Sequence, residues 1–330
     1  MKRVVRTRAM QEVDVLSWNL LAHVHTHWNF SEHGGTPRSL ETEEQRQARH
    51  LHILRRLNAL RPAVVLLQEV DATFMPQDWQ PASGPLPCGQ RLEGYTPYRS
   101  YTPPWGPRKH AEGTAVLLRD DAWVRDKTAP KALIASSEET GWKTGMVVHA
   151  CPIDAPERSV AFASVHLRHG APPRQQALLA MALAARRDDS TPMVLGGDFN
   201  ATPTVIAREQ IDLPLRQSGL SRVATPEDAP TNLHCGQVGC GQVIDHLYSS
   251  TRVDTQSAVE VGRLPLSERG PWGDPEADGS DHAWVRVRLA LETEKGKAKA
   301  KATRTKHEDN DDANPYEKKY ANSKRRKAPE

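Results

Sequence analysis

Leu195-Gly196-Gly197-Asp198-Phe199-Asn200 is the stretch from which the rest of this 330-residue chain can be read. Met193, Val194 and Leu195 form a short apolar run after Pro192, the expected end of a buried strand. Two glycines follow, and their missing Cβ atoms let backbone pass close to a neighbour or a ligand. An acid and an amide then stand two positions apart. On extended backbone such positions face one side, so Asp198 and Asn200 are expected to reach one small volume while Phe199 turns back into the core. One of them can take a proton from water there, and the other can orient that water or a phosphate oxygen. Ala201-Thr202-Pro203 breaks the strand, with Thr202 placed to cap a helix that starts at Pro203. The same residue types also make ordinary solvated turns, so chemistry requires partners elsewhere in the chain.

Outward from this stretch one pattern recurs: an apolar run that closes on a polar side chain. Residues 13–17 alternate apolar and polar and lead into Trp18-Asn19-Leu20-Leu21-Ala22. Residues 63–67 are continuously apolar, as expected of a strand covered on both faces, and they close on Gln68-Glu69. Residues 159–167 alternate and reach His166, and residues 243–249 carry Asp245 and His246. Ser280-Asp281-His282 stands just before 283–291, where Trp284, Arg286 and Arg288 alternate with Val285, Val287 and Leu289 as in a strand wet on one face. Further strands are expected over 113–119 and 145–151, and helices over 39–60, 173–187 and 203–211. Arg61-Pro62 ends the first helix. Residues 78–109, rich in proline and glycine, read as a loop, and 261–279 as another.

The chain is long enough for one large domain, and 38% of it is hydrophobic. Its longest strongly apolar stretch, 177–185, is too short for a membrane span. The basic N-terminus has no apolar core behind it, so no secretory signal is expected. A nuclear or cytoplasmic location follows, with a mitochondrial leader as the alternative. Reduced thiols are then the default for Cys88, Cys151, Cys235 and Cys240, although His234, Cys235 and Cys240 offer three donors to a zinc ion. Charge is unevenly spread. Residues 292–330 hold 12 Lys/Arg and 8 Asp/Glu, which leaves 32 and 33 of the total 44 and 41 for the rest. The body is thus near neutral, and only a local patch could draw nucleic acid. The low-complexity segment 292–330, ending in the basic run Lys324-Arg325-Arg326-Lys327, is expected to be disordered, serving nuclear import or loose phosphate binding. We therefore divide the chain into an extension 1–12, a catalytic domain 13–291 and a basic tail 292–330.

Polar groups that repeatedly end strands can share one rim if the sheets pack face to face. Asn19 and Glu69 are hard oxygen donors suited to Mg²⁺, which keeps several waters and needs few protein ligands. Asp245 and His282 make an acid–imidazole pair that holds the ring and favours its protonated form. The sequence has no Walker A pattern, no Gly-x-Ser-x-Gly elbow and no helical His pair for zinc. Attack of water on phosphorus, with metal and imidazole neutralising the developing charge, is the chemistry this donor set fits.

Taken together, Ser17-Trp18-Asn19-Leu20-Leu21-Ala22, Leu67-Gln68-Glu69-Val70, Ser164-Val165-His166-Leu167, Gly197-Asp198-Phe199-Asn200, Ile244-Asp245-His246 and Ser280-Asp281-His282 resemble the signature blocks of the endonuclease/exonuclease/phosphatase (DNase I-like) superfamily, in that family's order. The resemblance implies an α+β fold, a four-layered α/β/β/α sandwich of two packed mixed sheets with the site at one rim. It implies metal-dependent hydrolysis of phosphate esters with Mg²⁺, Mn²⁺ being the alternative. Asn19 and Glu69 would hold the metal, Asp198 would activate or align water, and Asn200 would orient the phosphate. His166 would stabilise the phosphorane, and His282 would sit on the scissile phosphate, oriented by Asp245. Asp281 would be a further carboxylate near metal or histidine. The Asn19 block and the arginine-rich helix before Glu69 are similar to the RNA-directed, deadenylase-type branch, which implies an RNA or single-stranded DNA substrate. The loop bearing Tyr95, Tyr98, Arg99, Tyr101, Trp105, Arg108 and Lys109 could stack bases and meet phosphates, as could Trp142-Lys143 and Trp272, or its aromatics could pack onto the body. An inositol-phosphate or lipid phosphoesterase is the alternative within the family, and a catalytically silent nucleic-acid-binding scaffold is the alternative outside enzymes.

Overall fold

The computed structural model describes residues 11–22, 42–76, 79–80, 83–101, 112–129, 131–223, 225–226, 229–232, 241–250, 259–262, 280 and 282–291. By its contacts the chain forms one unit over Glu12–Ala290 and a second from Met1–Gln11 with Leu291–Glu330. The second is described only at Gln11 and Leu291, and the basic tail lies outside the described residues.

Strands β1 (Gln11–Asn19), β2 (Val64–Asp71), β3 (Tyr95–Tyr101), β4 (Glu112–Arg119), β12 (Glu260–Val261) and β13 (Val285–Leu291) make one sheet, ordered β12-β13-β1-β2-β4-β3. Strands β5 (Trp123–Arg125), β6 (Ala132–Ile134), β7 (Gly145–Pro152), β8 (Val160–His166), β9 (Met193–Asp198), β10 (Ser221–Val223) and β11 (Asp245–Ser249) make the other, ordered β10-β11-β9-β8-β7-β5 with β6 also on β7. Both are mixed: β1 runs parallel to β2 and β8 parallel to β9, whereas β4 and β11 run antiparallel to their neighbours. β2 packs on β8 and β9, and β4 on β7 and β8, so the sheets lie face to face.

Helix α1 (Glu43–Leu60) covers the outer face of the first sheet. Thr42 begins it with a capping box, its Oγ1 accepting from the Gln45 N–H at 3.3 Å while Gln45 Oε1 accepts from the Thr42 N–H at 2.8 Å. Arg61 ends it in a left-handed conformation, φ 44°. Ile53, Leu54 and Leu57 pack on Leu16, Trp18, Val65 and Leu67, each worth about 1.5–3 kcal/mol of burial. Helices α2 (Pro172–Ala184), α3 (Pro203–Glu209) and α4 (Leu213–Gln217) cover the second sheet through Leu178, Leu179, Ile206 and Leu215. The result is the expected four-layered sandwich. It also explains the fully buried β2: one face meets α1 and the other meets the second sheet.

The glycine pair of the opening stretch is needed here. A Cβ on Gly196 would press on Leu247 of β11 and on Leu66 of β2 across the sheet interface, and one on Gly197 would overlap the Val165 carbonyl oxygen of β8. Polar side chains bridge the sheets at the same level. Gln68 Nε2 donates to Ser164 Oγ at 3.0 Å and to Ser17 Oγ at 3.4 Å, and Ser164 Oγ donates to the Leu67 carbonyl at 2.7 Å.

The loop expected over 78–109 is corrected: 95–101 form β3, paired along its length with β4. Pro97 hid it, yet proline is tolerated because β3 is the sheet's edge. The helix expected over 203–211 is α3, which stops at Glu209 because Gln210 turns left-handed at φ 52°, and the short α4 beyond it was not expected. The short strands β5, β6, β10 and β12 were not expected, being too brief to show a period.

Candidate active site

The strand ends converge on one rim, and Asp198 sits where they cross. Asn19, at the end of β1, places its Nδ2 3.0 Å from Asp198 Oδ2 and 3.2 Å from Glu69 Oε1. Its Oδ1 accepts from the Leu21 N–H at 3.0 Å, so presenting that oxygen to a cation requires the amide to turn over. Glu69 projects from a bulge. The β2–β4 register slips between Leu67 and Val70, and Glu69 takes φ 51°, which re-aims its side chain toward the rim. Its Oε2 accepts from the Ala22 N–H at 2.9 Å. His166, at the end of β8, places Nε2 3.7 Å from both Glu69 Oε1 and Asp198 Oδ2.

Asp198 and Asn200 do meet, though by a turn rather than by extended pleat. Asn200 is left-handed at φ 49°, its N–H donates to Asp198 Oδ1 at 2.7 Å, and its Nδ2 donates to Asp198 Oδ2 at 3.2 Å and to the Leu167 carbonyl at 3.0 Å. Phe199 turns inward as expected, stacked on Tyr248 and edge-on to His246.

On the other flank His282 Nδ1 lies 2.9 Å from Asp245 Oδ2, and His282 Nε2 lies 3.9 Å from Asp198 Oδ2. Asp245 is paired with Asp198 in the β9–β11 register, which puts both carboxylates at one edge. The His282 segment is tied to β1 by the Trp18 indole N–H, donating to the His282 carbonyl at 3.0 Å, and by Ser280 Oγ, donating to the Asn19 carbonyl at 2.6 Å. Asp281 lies outside the described residues, as do His234, Cys235, Cys240, Trp105, Arg108, Lys109 and Trp272.

Sequence reasoning missed Asn232, Glu112 and Arg49, and read Lys143 as a candidate nucleic-acid contact without its link to His166. Asn232 is buried, and its Nδ2 lies 2.8 Å from His282 Nε2, so its amide N–H donates there and the imidazole proton belongs on Nδ1, toward Asp245. Lys143 Nζ lies 3.3 Å from His166 Nδ1 and 3.2 Å from Glu112 Oε1. An ammonium only donates, so His166 Nδ1 accepts and its Nε2–H faces the carboxylates. Arg49 of α1, 1% exposed, donates to the Leu20 carbonyl at 2.8 Å and anchors the turn after Asn19. Buried arginine on an apolar helix face was the available signal for Arg49; nothing local marks Asn232.

Of the aromatic segment, Tyr95, Tyr101 and Arg99 take the packing role. Tyr95 is buried with its hydroxyl donating to the Pro62 carbonyl at 2.6 Å, Tyr101 donates to the Met75 carbonyl, and Arg99 is spent on the carbonyls of Pro76 and Trp79 at 2.6 and 2.5 Å. Tyr101 and Arg99 thus hold the edge strand to the 75–79 segment and Tyr95 holds it to Pro62, while Tyr98 is half-buried.

The electrostatics favour a cation. Burial pushes the Asp198 carboxyl up to about 7, and the neighbouring Asp245 and Glu69 push it the same way, against His282. Donor atoms of Glu69, His166 and Asp198 lie within 4.8 Å of one another, as do those of Asp198, Asp245 and His282. Asp245 Oδ1 is buried without a hydrogen-bond partner among the described residues. An excess of buried oxygen acceptors, one of them unsatisfied, fits a divalent metal ion. Beneath the site, burial pulls His246 down to about 4, and its Nε2 lies 2.9 Å from the Ala201 carbonyl.

Solved structures share this architecture. The human Nocturnin catalytic domain with bound sulfate is 18% identical, with 86% of this chain and 97% of that chain covered at a TM-score of 0.56. ANGEL2, a 2′,3′-cyclic phosphatase solved with adenosine-2′,3′-vanadate, is 16% identical over 88% of this chain and 100% of that one, TM-score 0.58. D. rerio TDP2 complexed with a single-strand DNA product is 13% identical over 85% and 100%, TM-score 0.57. Among curated proteins none matches the sequence. The model of the Endonuclease/Exonuclease/phosphatase family matches residues 16–282, from the strand before Asn19 through His282. This chain belongs to that family and is a metal-dependent phosphoester hydrolase.

Proposed function

We propose that this protein is a Mg²⁺-dependent nuclease that hydrolyses RNA, and single-stranded nucleic acid generally, by in-line attack of water on a phosphodiester. The observation that carries the reading is the position of Asp198: one buried carboxylate within reach of both the Glu69–His166 flank and the Asp245–His282 flank. A carboxyl held near neutral pH is suited to accept a proton from water or to align it. The Nε2–H of His166 and the amide of Asn200 are the donors available to phosphate oxygens whose charge grows at the transition state. His282, its Nδ1–H donating to Asp245, supplies the imidazole beside the scissile bond. Glu69 and, with its amide turned over, Asn19 would hold the ion, with Asp281 as a further carboxylate. A bound Mg²⁺ would lower the pKa of its water and offset charge on the phosphoryl group. Oxygen donors predominate in the set, which favours Mg²⁺ or Mn²⁺ over softer metals.

The Asn19-Leu20-Leu21-Ala22 block supports an RNA substrate by its likeness to the RNA-directed branch. The solved relatives holding an adenosine derivative or a single-strand DNA product support it by showing that the fold admits unpaired nucleotides. The test is cleavage of an end-labelled single-stranded RNA, the matching DNA strand, duplex DNA and an inositol polyphosphate, each with Mg²⁺ or EDTA. The expected result is an EDTA-sensitive product ladder from RNA. Phosphate release from the inositol compound with RNA left intact would overturn the proposal.

A further inference from the structure

Trp142 is an anomaly on this surface. It is 59% exposed, whereas Trp18, Trp79 and Trp123 are buried. Its backbone is left-handed at φ 64°, a conformation that is costly for a bulky residue and survives only where the surroundings impose it. Here they do. Gly141 precedes it at φ 65°, the Trp142 N–H donates to the Ser137 carbonyl at 2.7 Å, and the buried Thr140 hydroxyl bridges the Ser137 and Lys143 carbonyls at 3.1 and 2.9 Å. The turn thus keeps a large aromatic face in water.

Its surroundings connect it to the site. Lys143, the next residue, contacts His166 Nδ1. A Cβ on Gly141 would lie 3.0 Å from Arg168 Cβ and 3.1 Å from Arg174 Cδ, so the turn rests on the segment just after His166. Arg168 is exposed and forms no ion pair among the described residues. An open indole and an exposed guanidinium therefore stand on a turn whose next residue, Lys143, touches His166 of the rim. Unpaired bases stack on such indoles, while duplex bases are already stacked and are withheld.

Building on the nuclease reading above, we infer that Trp142 and Arg168 form a subsite for the nucleotide beside the scissile phosphodiester, with Trp142 stacking its unpaired base and Arg168 holding its phosphate. The chemical class selected is single-stranded nucleic acid with an intact base at that position.

The probe is a fluorescein-labelled single-stranded RNA and a set of the same oligonucleotide carrying one abasic residue at each position in turn, bound in EDTA so that nothing is cut. One abasic position is expected to weaken wild-type binding about tenfold. Trp142→Ala is expected to weaken binding of the intact oligonucleotide by the same factor and to be blind to the abasic change at that position. Trp142→Phe recovers most of the affinity. Arg168→Ala weakens intact and abasic strands alike and flattens the salt dependence. Equal binding by wild type and Trp142→Ala, or a loss that ignores the base, overturns the subsite while wild-type cleavage with Mg²⁺ leaves the nuclease reading standing. A wild type that neither binds nor cuts any oligonucleotide overturns both. The abasic series on the wild type needs no variant, so a misfolded substitution would not shelter the inference.

Discussion

Replacing Asp198 by Asn should make the metal-free protein more stable and the enzyme inert. Asp198 is enclosed by the sandwich and faces other carboxylates, so its ionised form is disfavoured until about pH 7, against an ordinary value of 3.8. Each tenfold change in proton affinity is worth about 1.4 kcal/mol, so the charged native carboxylate carries a penalty of roughly 4 kcal/mol above that pH. Asn removes the charge but keeps the shape. Its Oδ1 can still accept from the Asn200 N–H, while its new NH₂ meets the amides of Asn19 and Asn200, a conflict costing about 1–2 kcal/mol unless Asn19 turns over. The net gain is roughly 2–3 kcal/mol at pH 8 in EDTA, a rise of about 4–8 °C in melting temperature. The sign follows from linkage. Between about pH 4 and 7 the native carboxyl holds a proton that the unfolded chain has released, so wild-type stability falls as pH rises through that window. The advantage of the variant is therefore absent at pH 3.5, grows to pH 7 and is constant above. Turnover should fall at least ~10²-fold through loss of the proton acceptor. Thermal melts across pH in EDTA, paired with Mg²⁺-dependent cleavage, check both halves. A stability difference independent of pH, or turnover within tenfold of wild type, would refute the reasoning.

Further outcomes follow from the same geometry. Glu69→Gln should lose most of the melting-temperature rise that Mg²⁺ gives the wild type, a rise reaching ~2.7 kcal/mol of stabilisation at a hundred times the dissociation constant; an undiminished rise would remove Glu69 from the metal site. His246→Gln should flatten an acid-side loss of stability: burial holds His246 to about 4, so between pH 6.5 and 4 only the unfolded chain is protonated, and stability drops by roughly 3 kcal/mol as pH falls. This is read as the difference between variant and wild type, because Asp198 contributes the opposite slope over much of the range. Gly197→Ala, whose Cβ would overlap backbone of β8, should cost about 3 kcal/mol or more, and Gly196→Ala less, since its Cβ meets side chains that can shift. Urea melts ranking the two the other way would contradict the packing described.

The sequence by itself determined much of this protein. Apolar runs closing on Asn19, Glu69, His166 and Asp198 located strand ends, because burial on a pleated or doubly covered strand writes a short-range pattern into the chain. Gly196-Gly197 announced a close approach before its partners were known. Only the tertiary structure decided what those strand ends touch. Asn19 meets Asp198 across 179 positions and Trp18 reaches the His282 carbonyl across 264, contacts set by sheet order and register that no local period encodes. For the same reason Asn232, Glu112 and Arg49 escaped notice, and Lys143, read only as a candidate nucleic-acid contact, was not linked to His166: each acts by orienting another residue from a distant element. Tyr95 and Tyr101 made the converse error, since an aromatic in a proline-rich segment looks equally like a stacking platform or a packed edge strand until its hydroxyl finds a buried carbonyl. Side-chain type is local, whereas environment, and with it proton affinity, tautomer and exposure, is a property of the packed layers.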